Sequence, residues 1–252
     1  MRVLVIVLAT LLLALPARAE RLVSMVSREI VAITSSFAGE TLTLFGNIEP
    51  DVGAAQKFVE GPYNIAIVIT GPLQDRVARF SEPVFGIWMN TQQATFANFP
   101  SYYQVLSSGA LEEMMPATTL DALDILPEDQ VRLALVPGTR DGLTLGRELV
   151  RLMTKEGHIG VHPNAVVFRS STFYAAQVTL PSDVPPGPYL AHTYVFKNGQ
   201  LIAERSEGFS VRKIGFERFI GQAATSQPLL YGLVCVILAL FTGWLGGVVF
   251  RR

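Results

Sequence analysis

From Leu229 to Phe250 the chain reads LLYGLVCVILALFTGWLGGVVF without one charged residue, and Arg251 and Arg252 close it. At a rise of about 1.5 Å per residue, roughly 20 apolar residues cross the hydrocarbon core of a bilayer. Pro228 stands just before the run, where a first helical turn has no backbone donor to lose. Tyr231 and Trp244 fall toward its two ends, where amphipathic rings favour the headgroup layer. A helix apolar on every face belongs in a bilayer or inside a large soluble fold, and helices of the second kind are usually shorter. Residues 228–250 therefore read as one transmembrane helix.

The N-terminus carries a second apolar run, Val3 to Leu15, after Arg2 and before Pro16-Ala17-Arg18-Ala19. A basic start, a short apolar stretch and a small-x-small site describe a secretory signal peptide over residues 1–19, cleaved after Ala19 to leave Glu20. An uncleaved signal anchor is the alternative. The signal exports the body, and the last helix stops transfer with residues 251–252 as a cytoplasmic tail, in line with the positive-inside tendency. The predicted location is the inner (cytoplasmic) membrane, single-pass, with the bulk of the chain outside. That arrangement leaves no room for a cytoplasmic signalling domain.

Between the two ends lies enough chain for one large domain or two small ones. A net charge of −1 gives no electrostatic footprint for nucleic acid. The single cysteine, Cys235, falls inside the apolar run, so the exported body folds without disulfides and without a Cys-zinc site.

Strand signals dominate this body. Leu22 to Thr34 reads as one or two strands. Phe37 to Glu40 is a turn with Gly39 free to take a positive φ, and Thr41 to Phe45 is a strand ended by Gly46-Asn47. Asp51 to Gly61 reads as a loop or short helix. Tyr63 to Thr70 is a nearly continuous β-branched run, the mark of a central strand covered on both faces, and Gly71-Pro72 breaks it. Arg76 to Phe80 and Val84 to Met89 read as further strands with Trp88 as a core plug. Helical spacing appears in Ala110 to Met115, Thr119 to Leu126 and Leu143 to Lys155, the last capped by Asp141 and ended by Gly157. Strands resume at Ala165 to Phe168 and Phe173 to Leu180. After the stiff turn Pro181 to Pro188, Tyr189 to Phe196 and Leu201 to Val211 flank Asn198-Gly199, a strong hairpin signal. The predicted fold is mainly β. It is an immunoglobulin-like β-sandwich, one or two, over residues 20–213 with a helical insertion around 108–157, a juxtamembrane connector at 214–227 and the C-terminal transmembrane helix.

Reactive constellations are scarce. His158 and His162 are four apart, a helical metal spacing, yet Gly157, Gly160 and Pro163 argue for extended chain, where the rings stand over about 10 Å apart. They remain weak ligand candidates. His192 sits in an alternating strand as a surface or edge residue. Arg76 and Arg79 are weak candidates for an anion such as sulfite, against the alternative of a solvated strand edge. The sequence lacks a Gly-x-Ser-x-Gly elbow, a P-loop and a dinucleotide fingerprint, and its acidic groups fall in helix-and-loop territory. No catalytic residue, metal ligand set or cofactor is predicted, and the expectation is a non-enzyme. Within the span, Gly243, Gly246 and Gly247 form a candidate helix-packing face.

Several segments carry a resemblance. They are Ile33 to Gly39 with Leu44-Phe45-Gly46, Thr70-Gly71-Pro72, Gly86 to Asn90, Phe99 to Tyr103, Leu180 to Tyr189, and Lys213 to Arg218 leading into Pro228 to Gly232. With these the chain resembles the putative transmembrane protein family of alphaproteobacteria. The resemblance covers nearly the whole mature chain. It implies an inner-membrane protein with a large periplasmic domain, supplies no catalytic residues, and implies a gene neighbourhood shared with sulfite-exporter-like permeases of the TauE/SafE type, with which the predicted topology is compatible. The expected function is that of a membrane-anchored periplasmic interaction or accessory protein, with the bilayer and a permease as partners and no nucleic acid. A periplasmic small-ligand or metal-binding module, and an enzyme of unrecognised type, are the alternatives.

Overall fold

The computed structural model describes residues 20–34, 36–51, 58–138 and 141–249. The expected leader, the stretch 52–57 within the expected loop or short helix, and residues 250–252 lie outside the described residues.

Among the described residues, twelve strands make up most of the body. β1 (Glu20–Val26), β3 (Glu40–Pro50), β10 (Phe173–Leu180) and β9 (Val166–Phe168) form one sheet in the order β1-β3-β10-β9. β2 (Ile30–Ile33), β12 (Gln200–Lys213), β11 (Gly187–Lys197), β4 (Asn64–Thr70), β7 (Tyr103–Ser107) and β8 (Ile159–His162) form a second, in the order β2-β12-β11-β4-β7-β8. The inner faces meet in one apolar core to which both sheets contribute. Leu42, Leu44, Ile48, Tyr174 and Val178 come from the first, and Ile65, Ile67, Ile69, Tyr189 and Phe209 from the second.

Around β4 and β7 the second sheet is buried on its other face as well. Four helices lie there: α1 (Leu111–Met114), α2 (Ala117–Leu123), α3 (Pro127–Ala134) and α4 (Gly142–Lys155). Ala66 and Val68 of β4 and Val105 of β7 face them, packed with Leu111, Ile125, Val131, Leu145 and Val150. Five successive residues of β4 are buried, so its unbroken apolar run is the signature of a strand with no solvent face.

Two expectations are corrected here. The strand expected to end at Gly46-Asn47 runs on to Pro50. Gly46 is a point of close approach: an added Cβ would lie 2.5 Å from the Tyr174 hydroxyl and 2.5 Å from the Val23 carbonyl oxygen. The second correction is Trp88, which plugs no core and is 73% exposed. It belongs to β6 (Ile87–Pro100), which pairs with β5 (Leu73–Val84) in a two-stranded ribbon separate from both sheets.

After β12 the chain passes into α5 (Phe216–Ser226) and α6 (Pro228–Val249). Among the described residues α6 is the one helix long and apolar enough to cross a membrane, and no residue of its apolar window is buried. Its 22 residues span about 33 Å, matched to a hydrocarbon core of about 30 Å.

Candidate interaction surface

The ribbon begins where β4 ends. Gly71 has no side chain because Tyr102 and Tyr189 close on it, an added Cβ meeting each at 2.9 Å. The chain turns there at Pro72, whose carbonyl accepts from the Ser101 amide at 3.0 Å and from the Ser101 hydroxyl at 2.6 Å. That pair of bonds closes the root. Above it Ala94, Phe96 and Phe99 are buried against the helical layer, with Phe96 and Phe99 edge to face at 6.1 Å. Gly146 of α4 admits this packing: an added Cβ would stand 2.1 Å from Val131 and 3.1 Å from Phe96.

Beyond Ala94 the ribbon leaves the body. Every residue of β6 from Ile87 to Gln93 is exposed. The two strands are joined by Phe85 and Gly86, both with positive φ (51° and 81°), the conformation of a tight primed hairpin turn. Phe85 is 102% exposed, Ile87 67% and Met89 52%. Register places Pro83 opposite Trp88 and Glu82 opposite Met89. Side chains of successive strand residues point to opposite faces, so Ile87 and Met89 share one face of the ribbon and Trp88 takes the other. The tip is apolar on both faces. Between Glu82 and Glu112 the sequence has no charged residue at all. Apolar residues at such exposure, gathered in one place, depart from ordinary surface scatter.

The sequence does not single out Phe80, Phe85, Ile87 and Met89, because a strand drawn from Val84 to Met89 runs through the turn. The available signals are the Phe85-Gly86 pair and the long absence of charge.

Arg76 and Arg79 lie on the stem of this ribbon, opposite Phe96 and Gln93. Arg79 is exposed, and Arg76 is half-buried. The structure brings neither to a histidine.

The two histidines are set in place by how α4 ends. Gly157 takes φ +78°, and the His158 amide donates back to the Met153 carbonyl at 2.9 Å, a Schellman closure. This turn holds the largely buried His158 ring between Asp183 (Nε2 to Oδ2, 3.3 Å) and Glu156 (Nδ1 to Oε2, 3.6 Å). His162 sits at the end of β8 with a different partner, its Nε2 at 2.8 Å from Gln104 Oε1. The Gln104 amide nitrogen donates to the Gly157 carbonyl at 3.0 Å, which fixes its oxygen as the acceptor. His162 Nε2 therefore carries a proton. The two rings are engaged with separate groups, and among the described residues no three His, Cys, Asp or Glu side chains gather as a metal site. His192, in β11, stacks on Tyr194 at 4.3 Å and lies 3.0 Å from the Ser206 hydroxyl.

On α6 an added Cβ at Gly243, Gly246 or Gly247 would meet no atom within 4 Å. Spacings of three and four place the three on one helix face. The Thr242 hydroxyl beside them donates to the Leu238 carbonyl at 2.8 Å, so it is satisfied within its own helix.

A family model described as "Putative transmembrane protein (Alph_Pro_TM)" matches residues 21–252. No curated protein matches the chain.

Proposed function

The chain belongs to that transmembrane protein family, and from this premise we propose that it is a membrane-anchored periplasmic interaction protein, an accessory to an integral membrane permease of the sulfite-exporter-like type. One observation carries the reading. A body with an apolar tip and no cover over it is joined to a helix whose apolar window has no buried residue. Such a chain has most of its unsatisfied surface in or beside the bilayer. The family match begins at Arg21, just beyond the predicted leader, which fits a secreted body starting near Glu20.

The body itself is inferred to be immunoglobulin-like. Strand order β1-β3-β10-β9 against β12-β11-β4 has the pattern A-B-E-D against G-F-C. The Tyr189 hydroxyl donates to the Pro185 carbonyl at 2.7 Å, four residues upstream at the start of β11, as a tyrosine corner does. The helices and the ribbon are then inserted between β4 and β8.

Permease contact is assigned to the span. Gly232, Cys235, Ala239, Gly243 and Gly247 follow one another at spacings of three or four, with Gly246 three residues after Gly243, so a small-residue face runs along α6 and admits a close helical neighbour. The role proposed is binding, with no catalytic step; His162 is engaged by Gln104, and Asp124 and Asp129 pair with Arg132.

The test is affinity purification of the tagged full-length protein from native membranes, with Gly243, Gly246 and Gly247 each changed to Leu in a parallel variant. Recovery of a permease with the wild type and its loss with the variant is the expected result. A wild type that comes down alone overturns the reading.

A second reading has its own observation. A cleft of about 480 Å³ between the end of α4, β8 and β10 is lined by Gln104, His162, Gln177 and Thr179, a volume suited to a small ligand. Thermal-shift screening against divalent metals and small oxyanions, with a His162→Ala control, decides it. A shift present only with His162 favours a ligand module.

A further inference from the structure

We propose that the tip of the β5–β6 ribbon inserts into the surface of the bilayer that holds the chain's own span, giving the body a second membrane contact. The proposal rests on the membrane-anchored reading above. Three features choose a lipid phase over a protein partner. Apolar side chains project from both faces of the tip, with Ile87 and Met89 on one and Trp88 on the other, and Phe85 wholly exposed at the turn. A protein surface covers one face of a ribbon, whereas an apolar solvent surrounds both.

Polarity is also graded along the ribbon. The first charge behind the tip is Glu82, on the Met89 rung; the neutral polar residues Ser81, Asn90, Thr91, Gln92 and Gln93 follow, with Ser81 donating to Asn90 at 2.7 Å, and Arg79 and Arg76 stand farther back. From the Glu82–Met89 rung to the turn is three residues, or about 10 Å at the strand rise. Insertion to that depth buries Phe85, Ile87 and Trp88 while leaving the Glu82 carboxylate among the headgroups. Interfacial segments sink about 5–10 Å, and indole rings favour that layer.

The third feature is proximity. The root of the ribbon (Gly71 to Leu73) and the end of β12 (Ser210 and Arg212), from which the chain leaves for the span, line one shared hollow. Only residues 214–227 separate β12 from α6. The bilayer is thus held at the same end of the body from which the ribbon springs.

The sequence offers a direct probe, because its two tryptophans are Trp88 and Trp244. In a Trp244→Phe background Trp88 is the sole indole. The full-length protein would be reconstituted in vesicles of phosphatidylethanolamine and phosphatidylglycerol, with and without brominated acyl chains. The expected result is a blue-shifted Trp88 emission that the brominated lipid quenches. Both effects should be lost when Phe85→Asp and Ile87→Asp are added, with the far-ultraviolet dichroism unchanged. A water-like emission insensitive to bromine overturns the proposal. So does a blue shift without quenching, which places protein, such as a second copy, over the tip. Flotation of the vesicles after an alkaline wash reads the anchor separately. A chain that floats while Trp88 stays in water loses the tip contact alone, and a chain that washes off loses the anchored reading with it.

Discussion

Tyr102, Tyr103, Tyr174 and Tyr189 carry four phenols into the two cores, and burial pushes each above the ordinary value of 10. The Tyr174 phenol is pushed up to about 12. Three of these hydroxyls are anchored, Tyr102 on the Thr179 carbonyl at 3.5 Å, Tyr103 on the Ile125 carbonyl at 3.1 Å and Tyr189 on Pro185. A phenol with a raised folded pKa keeps its proton while the unfolded chain has lost it, so stability is complete below about pH 10 and falls as pH rises past it. The thermal midpoint in detergent should therefore hold steady up to about pH 10 and drop between there and about pH 12, in step with tyrosinate absorbance. A flat profile across that window would mean that the phenols are open to water. At this scale the sequence is least informative about Trp88. Large aromatic rings usually fill cores, and nothing in the local pattern separates a ring that plugs from one that projects. The distinguishing facts, a positive φ at Phe85 and pairing that ends at Val84–Ile87, are properties of the turn.

The β5–β6 ribbon combines two regimes. Near its root Phe96 has no exposure and packs against α3 and α4, while Trp88 at the far end stands mostly in the open. Phe96→Ala should cost about 3–5 kcal/mol, and Trp88→Ser should leave the unfolding midpoint within about 0.5 kcal/mol of wild type. Chemical denaturation of the two variants beside wild type checks both, and equal losses would show the tip to be part of the packed fold. Elements differ in how legible they are for the same reason. β4 can be read because burial on both faces writes an unbroken apolar run, and β11–β12 because Asn198-Gly199 supplies the two positive φ angles of its turn. The outer ribbon cannot, since the link between apolar sequence and burial fails where apolar residues face out. The helix α3 escapes a sequence reading because Pro127 reads as a break, whereas it is the first helical residue, with Asp129 accepting from the Leu126 amide at 3.1 Å. β8, four residues among glycines and histidines, has its place only through the parallel register with β7.

At the scale of the molecule, a mainly β body with a helical layer on one face hands its last strand to a short connector and then to a span. The span is plain from its lack of charge. The candidate site is not, because it depends on which apolar residues the fold leaves uncovered. The account stands or falls on where the body lies. It is proposed to sit outside the cytoplasmic membrane, held by α6, with the ribbon tip and the small-residue face of the span as its two membrane-side contacts. The direct measurement is labelling of spheroplasts with a membrane-impermeant maleimide, using Ser171→Cys on the exposed β9–β10 loop and Cys235, in the span, as the internal control. The account predicts that the thiol introduced on that loop reacts in intact spheroplasts, that Cys235 does not, and that the labelled chain stays with the membranes through an alkaline wash. Labelling that requires permeabilised cells would put the body in the cytoplasm and contradict it.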